Sequence, residues 1–266
     1  RAKYTRGSVT LEAVCNPVAD FFVLPTDERN PWAIRLPSAP QPYTTDLESG
    51  KPEKKIKNME FGGRASVNLS GIDFSVSALQ TWNKLPALCP ALSGDGRTLH
   101  INGQYRRMTM LGADCSLPVG QFVLRAEVAE YIGEAQGSGL GQNAVRCNTL
   151  NALAGVDWYP GNDWNISVQY CHKYTSGNLA ALSVYRNAGL ATARLSKELL
   201  HNTLKLSTFA YIDVASGGIF NRLSASYSLN DDIELTVVYD YFHANKGKFA
   251  MYGKNSEVWV KMKYSF

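Results

Sequence analysis

No stretch of the 266-residue sequence approaches the roughly 18 consecutive apolar residues that a membrane-crossing helix needs, which excludes a helical membrane protein. That absence says nothing against a membrane barrel, whose strands alternate and so hide from hydropathy. Dense Lys/Arg blocks are also missing. The net charge is +4 and the pI about 8.7, too mild a balance to argue for a nucleic-acid partner. The five cysteines (Cys15, Cys89, Cys115, Cys147 and Cys171) cannot all pair, and none stands in a C-x-x-C spacing, so neither a metal nor another cofactor is expected. They are either small apolar filler or include one bridge, Cys89–Cys147, between loops on the same side. No signal-like apolar core follows Arg1. Either a signal has been removed or an N-terminal part is missing.

What is present is 22 glycines, 14 tyrosines and 11% aromatic residues, with many Ser, Thr and Asn. Such a mixture suits strands and turns better than helices. The C-terminus has the clearest pattern. Val258, Val260, Met262, Tyr264 and Phe266 fall on one face, and Trp259, Lys261, Lys263 and Ser265 on the other. At a chain end, finishing on an aromatic residue, this fits the closing strand of a barrel. The same period of two recurs over residues 8–15, 64–70, 74–79, 110–117, 122–129, 150–158, 164–171, 191–196, 204–213, 222–229 and 233–241. The fold class is therefore all-β, an antiparallel transmembrane β-barrel with about twelve visible strands. The clearer strands are long enough to cross a bilayer when tilted, whereas soluble sandwiches use shorter ones.

Connection lengths separate the two faces of such a barrel. Alternate links are short, at 229–232, 200–202, 160–163, 118–120 and 70–73. Those between them are long, at 243–256, 176–188, 132–147, 83–103 and 24–58, with the Ser216-Gly217-Gly218 link as the exception. Short inner turns and long outer loops are the asymmetry of outer-membrane barrels. Trp158, Tyr159 and Trp164 flank one inner turn, where an aromatic girdle would sit. Residues 25–58 form a long Pro-rich extracellular loop with a basic run, Lys54-Lys55-Ile56-Lys57. It is expected to fold inward as a constriction or to lie outside as a lid.

Several segments resemble bacterial outer-membrane porins of the alginate-export and phosphate-selective porin-like group. They are Gly62-Gly63-Arg64-Ala65, Gly71-Ile72-Asp73-Phe74-Ser75-Val76-Ser77, Met110-Leu111-Gly112-Ala113-Asp114-Cys115, Phe122-Val123-Leu124-Arg125-Ala126-Glu127 and the terminal Lys263-Tyr264-Ser265-Phe266. The resemblance implies an outer-membrane channel, inserted by the barrel-assembly machinery through a C-terminal signal in which Tyr264 and Phe266 take part. Members of that group commonly have more strands, which implies an N-terminal part before Arg1. In-strand cysteines depart from the group's pattern.

Alternation assigns the inward face. Arg64, Asp114, Arg125, Glu127, Asp157, Arg194, Arg222, Glu234, Asp240 and Lys261 are expected to line a pore, where charged rings would set ion selectivity. The two signs balance. Arg125 and Glu127, two residues apart, are expected to form a lumen pair. An enzyme is not expected: no G-x-S-x-G is present, and of the four histidines only His172 lies near a strand, on its lipid side. The expectation is a passive pore of the bacterial outer membrane for small hydrophilic solutes, anions included. Its partners would be membrane lipid, the assembly machinery and further protein copies or subunits. The alternative is a non-conducting barrel that serves as a scaffold or partner-binding subunit.

Overall fold

A computed structural model describes residues 1–27, 29–33, 43–178, 182 and 186–266. Thirteen strands form one antiparallel meander: β1 (Ala2–Arg6), β2 (Val9–Asn16), β4 (Glu60–Leu69), β5 (Ile72–Trp82), β8 (Arg107–Val119), β9 (Phe122–Gln136), β10 (Val145–Gly161), β11 (Trp164–Ser176), β12 (Asn187–Leu199), β13 (Leu204–Asp213), β14 (Ile219–Ser228), β15 (Ile233–His243) and β16 (Glu257–Tyr264). A second sheet of three strands sits within the long connections: β3 (Tyr43–Asp46), β6 (Ala87–Leu92) and β7 (Leu99–Gln104), in the order β3-β7-β6. The fold is all-β, as the period-two pattern suggests; the thirteen-stranded sheet is antiparallel throughout, while β3 pairs parallel with β7 in the small sheet.

The structure adds to the sequence expectation in two places. Strand β1 was not anticipated, because its five residues, Ala-Lys-Tyr-Thr-Arg, carry too few apolar side chains to show an alternation. Residues 25–58 and 83–103, expected to be loops, contribute the small sheet. Pro90 is tolerated there because β6 is an edge strand, and the Pro90 carbonyl accepts from the Gly141 amide at 2.8 Å. Pro37, Pro40 and Pro42 lie outside the described residues.

Tight turns at one end join β1 to β2, β4 to β5, β8 to β9, β10 to β11, β12 to β13 and β14 to β15. At Asn162 and Asp163, φ is +49° and +61°, the left-handed pair that a two-residue hairpin needs and that Asn and Asp tolerate best. All the longer connections emerge at the other end. The 214–218 link between β13 and β14 is the short exception there, as its Ser216-Gly217-Gly218 suggested.

Ladder registers fix which side chains share a face. Following the Cα partners from Glu12–Arg64 through Asp114–Glu127, Asp157–Ser167, Ser167–Arg194, Phe209–Arg222 and Arg222–Asp240 to Asp240–Glu257 keeps to a single face. That face holds the buried side chains. Ser75 is 1% exposed and Asp240 2%, whereas Val260 and Met262 on the opposite face are 62% and 71% exposed. Val76, Leu111, Val128, Val168, Leu206, Leu223 and Val237 continue this apolar, uncovered face across the sheet. Rings flank it near the turn end at Phe122, Trp158, Tyr159 and Trp164, and nearer the loop end at Tyr170, Tyr174, Tyr239 and Tyr241. An apolar band edged by two aromatic rows is the outer surface of a membrane-spanning barrel.

The sheet curls toward its polar face. The Phe22 amide donates to the Lys84 carbonyl just beyond β5 at 3.1 Å, and the Trp32 ring packs on Phe242 of β15 with centroids 5.6 Å apart. Ten residues reach at most about 35 Å when fully extended. Two reverse turns, Asn30 to Asp27 and Ala33 to Asn30, shorten this span. In a flat sheet β5 and β15 would stand eight ladder spacings apart, about 38 Å. Only a curved wall lets one short segment touch both. As first and last members of the antiparallel series, β1 and β16 run in the same direction. Among the described residues no ladder joins them, and β16 stands at one end of the thirteen-stranded order.

Candidate functional site: the polar face and its strap

All ten charged residues singled out in the sequence fall on the inward face by register, and the structure sorts them into pairs and singletons. Arg64 bonds Asp114 through one amino group at 3.0 and 3.1 Å, and its Nε donates to Ser75 Oγ at 2.8 Å. Arg1 reaches Glu12 on the same face. Arg125 pairs with Asp157 at 2.8 Å, and Ser167 donates to the same carboxylate. This corrects the sequence expectation of an Arg125–Glu127 pair. Asp157 stands diagonally across the ladder from Arg125, whose directly opposed residue is Gly155, and a diagonal neighbour is within reach of a long side chain. Glu127 faces Asp114 across the ladder and makes no ion pair among the described residues. Arg222 grips Asp240 with both Nε and an amino group, at 2.7 and 2.8 Å, and Trp259 Nε1 donates to the same carboxylate at 3.2 Å. Arg194 and Lys261 have no ion-pair partner among the described residues, and Glu234 accepts only a long 3.4 Å bond from Thr236. Tyr264 and Phe266 lie on the opposite, outward face, their rings stacked at 6.3 Å.

Burial without pairing would be costly for these charges, and the buried Asp157 and Asp240 each have a guanidinium and a neutral donor. The result is a polar inner surface with little net charge. Sequence alternation locates its members. It cannot locate their partners, which depend on cross-strand register.

At the loop end the face is crossed by residues 17–27 and 29–33, the strap. Its first part is held on the β5 side: Lys84 Nζ donates to the Asp20 carbonyl at 3.0 Å, and Phe21 meets Tyr105 edge-on at 4.8 Å. Its far part is held on the β15–β16 side, where Trp32 packs against Phe242 and Tyr252 and Asn255 donates to the Pro31 carbonyl. The small sheet lies at the same end, where the Gly141 amide donates to the Pro90 carbonyl of β6. Gln104 bonds Asn143 and the Ala144 amide, and Ala87, Cys89, Ala135 and Ala144 form a compact buried cluster. Of the two readings for cysteine, the filler one describes Cys89 in this cluster; all five thiols are free. The constriction or lid expected from the sequence was residues 25–58, which overlap the strap only in part and include residues outside those described; the strap's anchor points were not visible in the sequence.

On the outward face, His172 is held between two side chains. Tyr170 Oη lies 3.0 Å from Nδ1, and Asn187 Oδ1 lies 3.1 Å from Nε2. Asn187 arrives across the β11–β12 connection, so sequence spacing gave no sign of it. Tyr170 in turn lies over Gly189, where any Cβ would stand 2.7 Å from its hydroxyl. No group of three metal-ligating side chains occurs among the described residues.

No family model matches the sequence, and no curated protein matches it. Among solved structures, outer membrane phospholipase A from Escherichia coli is similar over 78% of this chain and 83% of that one, with 12% identity and a TM-score of 0.32. That protein is a phospholipase by name, and the expectation that this chain is not an enzyme is withdrawn.

Proposed function

We propose that the chain forms a porin-like channel of the bacterial outer membrane, through which small hydrophilic solutes diffuse along the polar inner face. One observation carries this reading: a single register puts the ion pairs Arg64–Asp114, Arg125–Asp157 and Arg222–Asp240 on the curled, inward side and the exposed apolar band on the other. Water-filled barrels have this division of faces, because lipid accepts only the apolar one. Arg64, Asp114, Arg125, Glu127, Asp157, Arg194, Arg222, Glu234, Asp240 and Lys261 would line the path, with the strap narrowing its outer end. The resemblance to the alginate-export and phosphate-selective porin-like group supports the same reading. Tyr264 and Phe266, exposed and stacked at the end of the last strand, suit recognition by the barrel-assembly machinery.

The test is a planar-bilayer recording of the purified protein. Discrete conductance steps are expected; a folded, heat-modifiable barrel that stays electrically silent would overturn the channel. A second reading, a non-conducting scaffold or partner-binding subunit, is favoured by the strap that crosses the face at the loop end. Removing residues 20–33 separates the two. A scaffold stays silent after the deletion, whereas a constricted channel conducts more.

A further inference from the structure

The outward face carries a groove in the apolar band that neither functional reading uses. Following cross-strand partners, Thr208 stands between Leu195 and Leu223 in one row, and Ala225 between Leu206 and Val237 in the next. These two short side chains are diagonal neighbours, so the dips they leave in the band join. The groove holds about 680 Å³, within the usual range of small-molecule sites. It also climbs. Trp164 is the first residue of β11, Lys197 lies two residues from the turn end of β12, Ala225 three from that of β14 and Val237 four from that of β15. The lower end therefore sits at the membrane edge, and the upper end, beside Tyr239, lies toward mid-strand. At the lower end the Lys197 ammonium stands 5.4 Å from the Trp164 ring centroid and donates to the Asn162 carbonyl in the β10–β11 turn. Among the described residues Lys197 has no ion-pair partner, and an ammonium carries three donors, so the carbonyl leaves it further capacity.

We infer that this groove binds a glycerophospholipid of the leaflet at the turn end, its phosphate on Lys197 and one acyl chain along the groove. A lysine on the lipid-facing side is costly within the hydrocarbon, so its place is where the stem lies against apolar surface and the ammonium reaches the headgroups. The Trp164 ring beside it suits the same level. The counter-charge at that level is the lipid phosphate. A chain attached to a headgroup held at Lys197 then meets a path that leads away from the membrane edge and is walled by Leu206, Leu223 and Val237. The polar group on the way is engaged, since Thr208 Oγ1 accepts from Asn221 at 2.9 Å. Two acidic side chains lie near Lys197 in sequence or ladder. Glu198 pairs with Lys205 at 2.8 Å on the inner face, and Asp163 is exposed in the β10–β11 turn. With Asp163 close by, the site has little net charge, so it selects phosphate joined to a chain and not the net charge of the headgroup. A second copy of the chain, seated on the same band, is the competing occupant. The inference holds whether or not the barrel conducts.

Native mass spectrometry of the full-length, detergent-folded and delipidated protein tests this. The added probes are dioleoylphosphatidylethanolamine, dioleoylphosphatidylglycerol and the phosphate-free dioleoylglycerol. One bound phospholipid should survive detergent removal, with the two phospholipids held alike. Dioleoylglycerol should bind about tenfold more weakly, the factor for losing one charge-assisted contact. Lys197→Gln should weaken both phospholipids by the same factor of about ten. Ala225→Phe, which fills the groove, should remove the bound lipid, whereas Val128→Phe, elsewhere in the band, should leave it in place. Heat-modifiable migration shows that each variant is folded, and if Ala225→Phe does not fold, Lys197→Gln still decides. Phospholipid held equally by the wild type and Lys197→Gln, or diacylglycerol held as tightly as phospholipid, overturns the site. So does a folded protein that retains no lipid, or one that forms a dimer in place of the lipid complex.

Discussion

At the scale of single residues, the polar face behaves as a set of matched pairs, and the matches can be broken one at a time. Asp240 is nearly inaccessible and accepts three hydrogen bonds, two from Arg222 and one from Trp259. Replacing it with Ala leaves both donors facing a void, at a cost of about 1–3 kcal/mol. The expected readout is a lower temperature for the gel-mobility change that marks barrel unfolding. Arg222→Glu and Arg125→Glu each reverse a charge beside an existing carboxylate, so reversal potentials in a salt gradient should move toward cation preference. Unchanged potentials would place both residues off the conducting path. Leu200 illustrates the opposite situation: it sits at φ +52°, a region that a bulky side chain occupies only under strain. Leu200→Gly should raise stability by about 0.5–1 kcal/mol in the same unfolding assay. The sequence marked Leu200-His201-Asn202 as a turn but gave no hint that a leucine would take a left-handed conformation, because nothing in its side chain favours one.

At the scale of elements, period two made the long strands legible. Register places all ten expected charges on one face because none lies beyond a bulge that would invert the alternation. What period two could not show was pairing across strands. Arg125 therefore finds Asp157, and not Glu127 on its own strand. Short strands escaped for a related reason. In β1 and in β3, β6 and β7 too few residues repeat to rise above the composition of a loop, and neighbours in space define them. The turn after β3 carries its own pH dependence. The Asp46 carboxylate accepts from Ser49, and from the Glu48 and Ser49 amides at 3.2 and 3.0 Å, which holds its pKa below the ordinary value. A carboxyl lowered by folding contributes fully above its unfolded pKa, near about 4, and its contribution fades as pH falls through the lower folded value. Hydrogen exchange at the Ser49 amide should therefore stay slow through the ordinary Asp range, relative to its intrinsic rate, and accelerate only below it. Asp46→Ala should remove that acid-side change.

At the scale of the whole molecule, the two faces of the wall answer to different solvents. Val168 sits on the exposed apolar band, 50% accessible in the isolated chain. Val168→Arg should cost about 2–4 kcal/mol near the bilayer midplane and lower the yield of folded barrel in liposomes. Gln169→Arg, its neighbour on the inner face, should fold at near-normal yield. Equal loss from both changes would mean the band does not face lipid. The wall itself is a meander in which every strand pairs only with its neighbours in the series. Hairpins could be gained or lost from such a wall without disturbing the rest, as beads from a bracelet. The strap is the clasp. It is anchored near β5 and again at Phe242, Tyr252 and Asn255, and it has a fixed contour length. A duplicated hairpin anywhere between β8 and β14 would lengthen the arc beneath the clasp by two strand widths, and Trp32 would no longer reach its rings. The strap thus acts as a gauge on the circumference, and lineages that changed strand number would have had to lengthen it or let go of it.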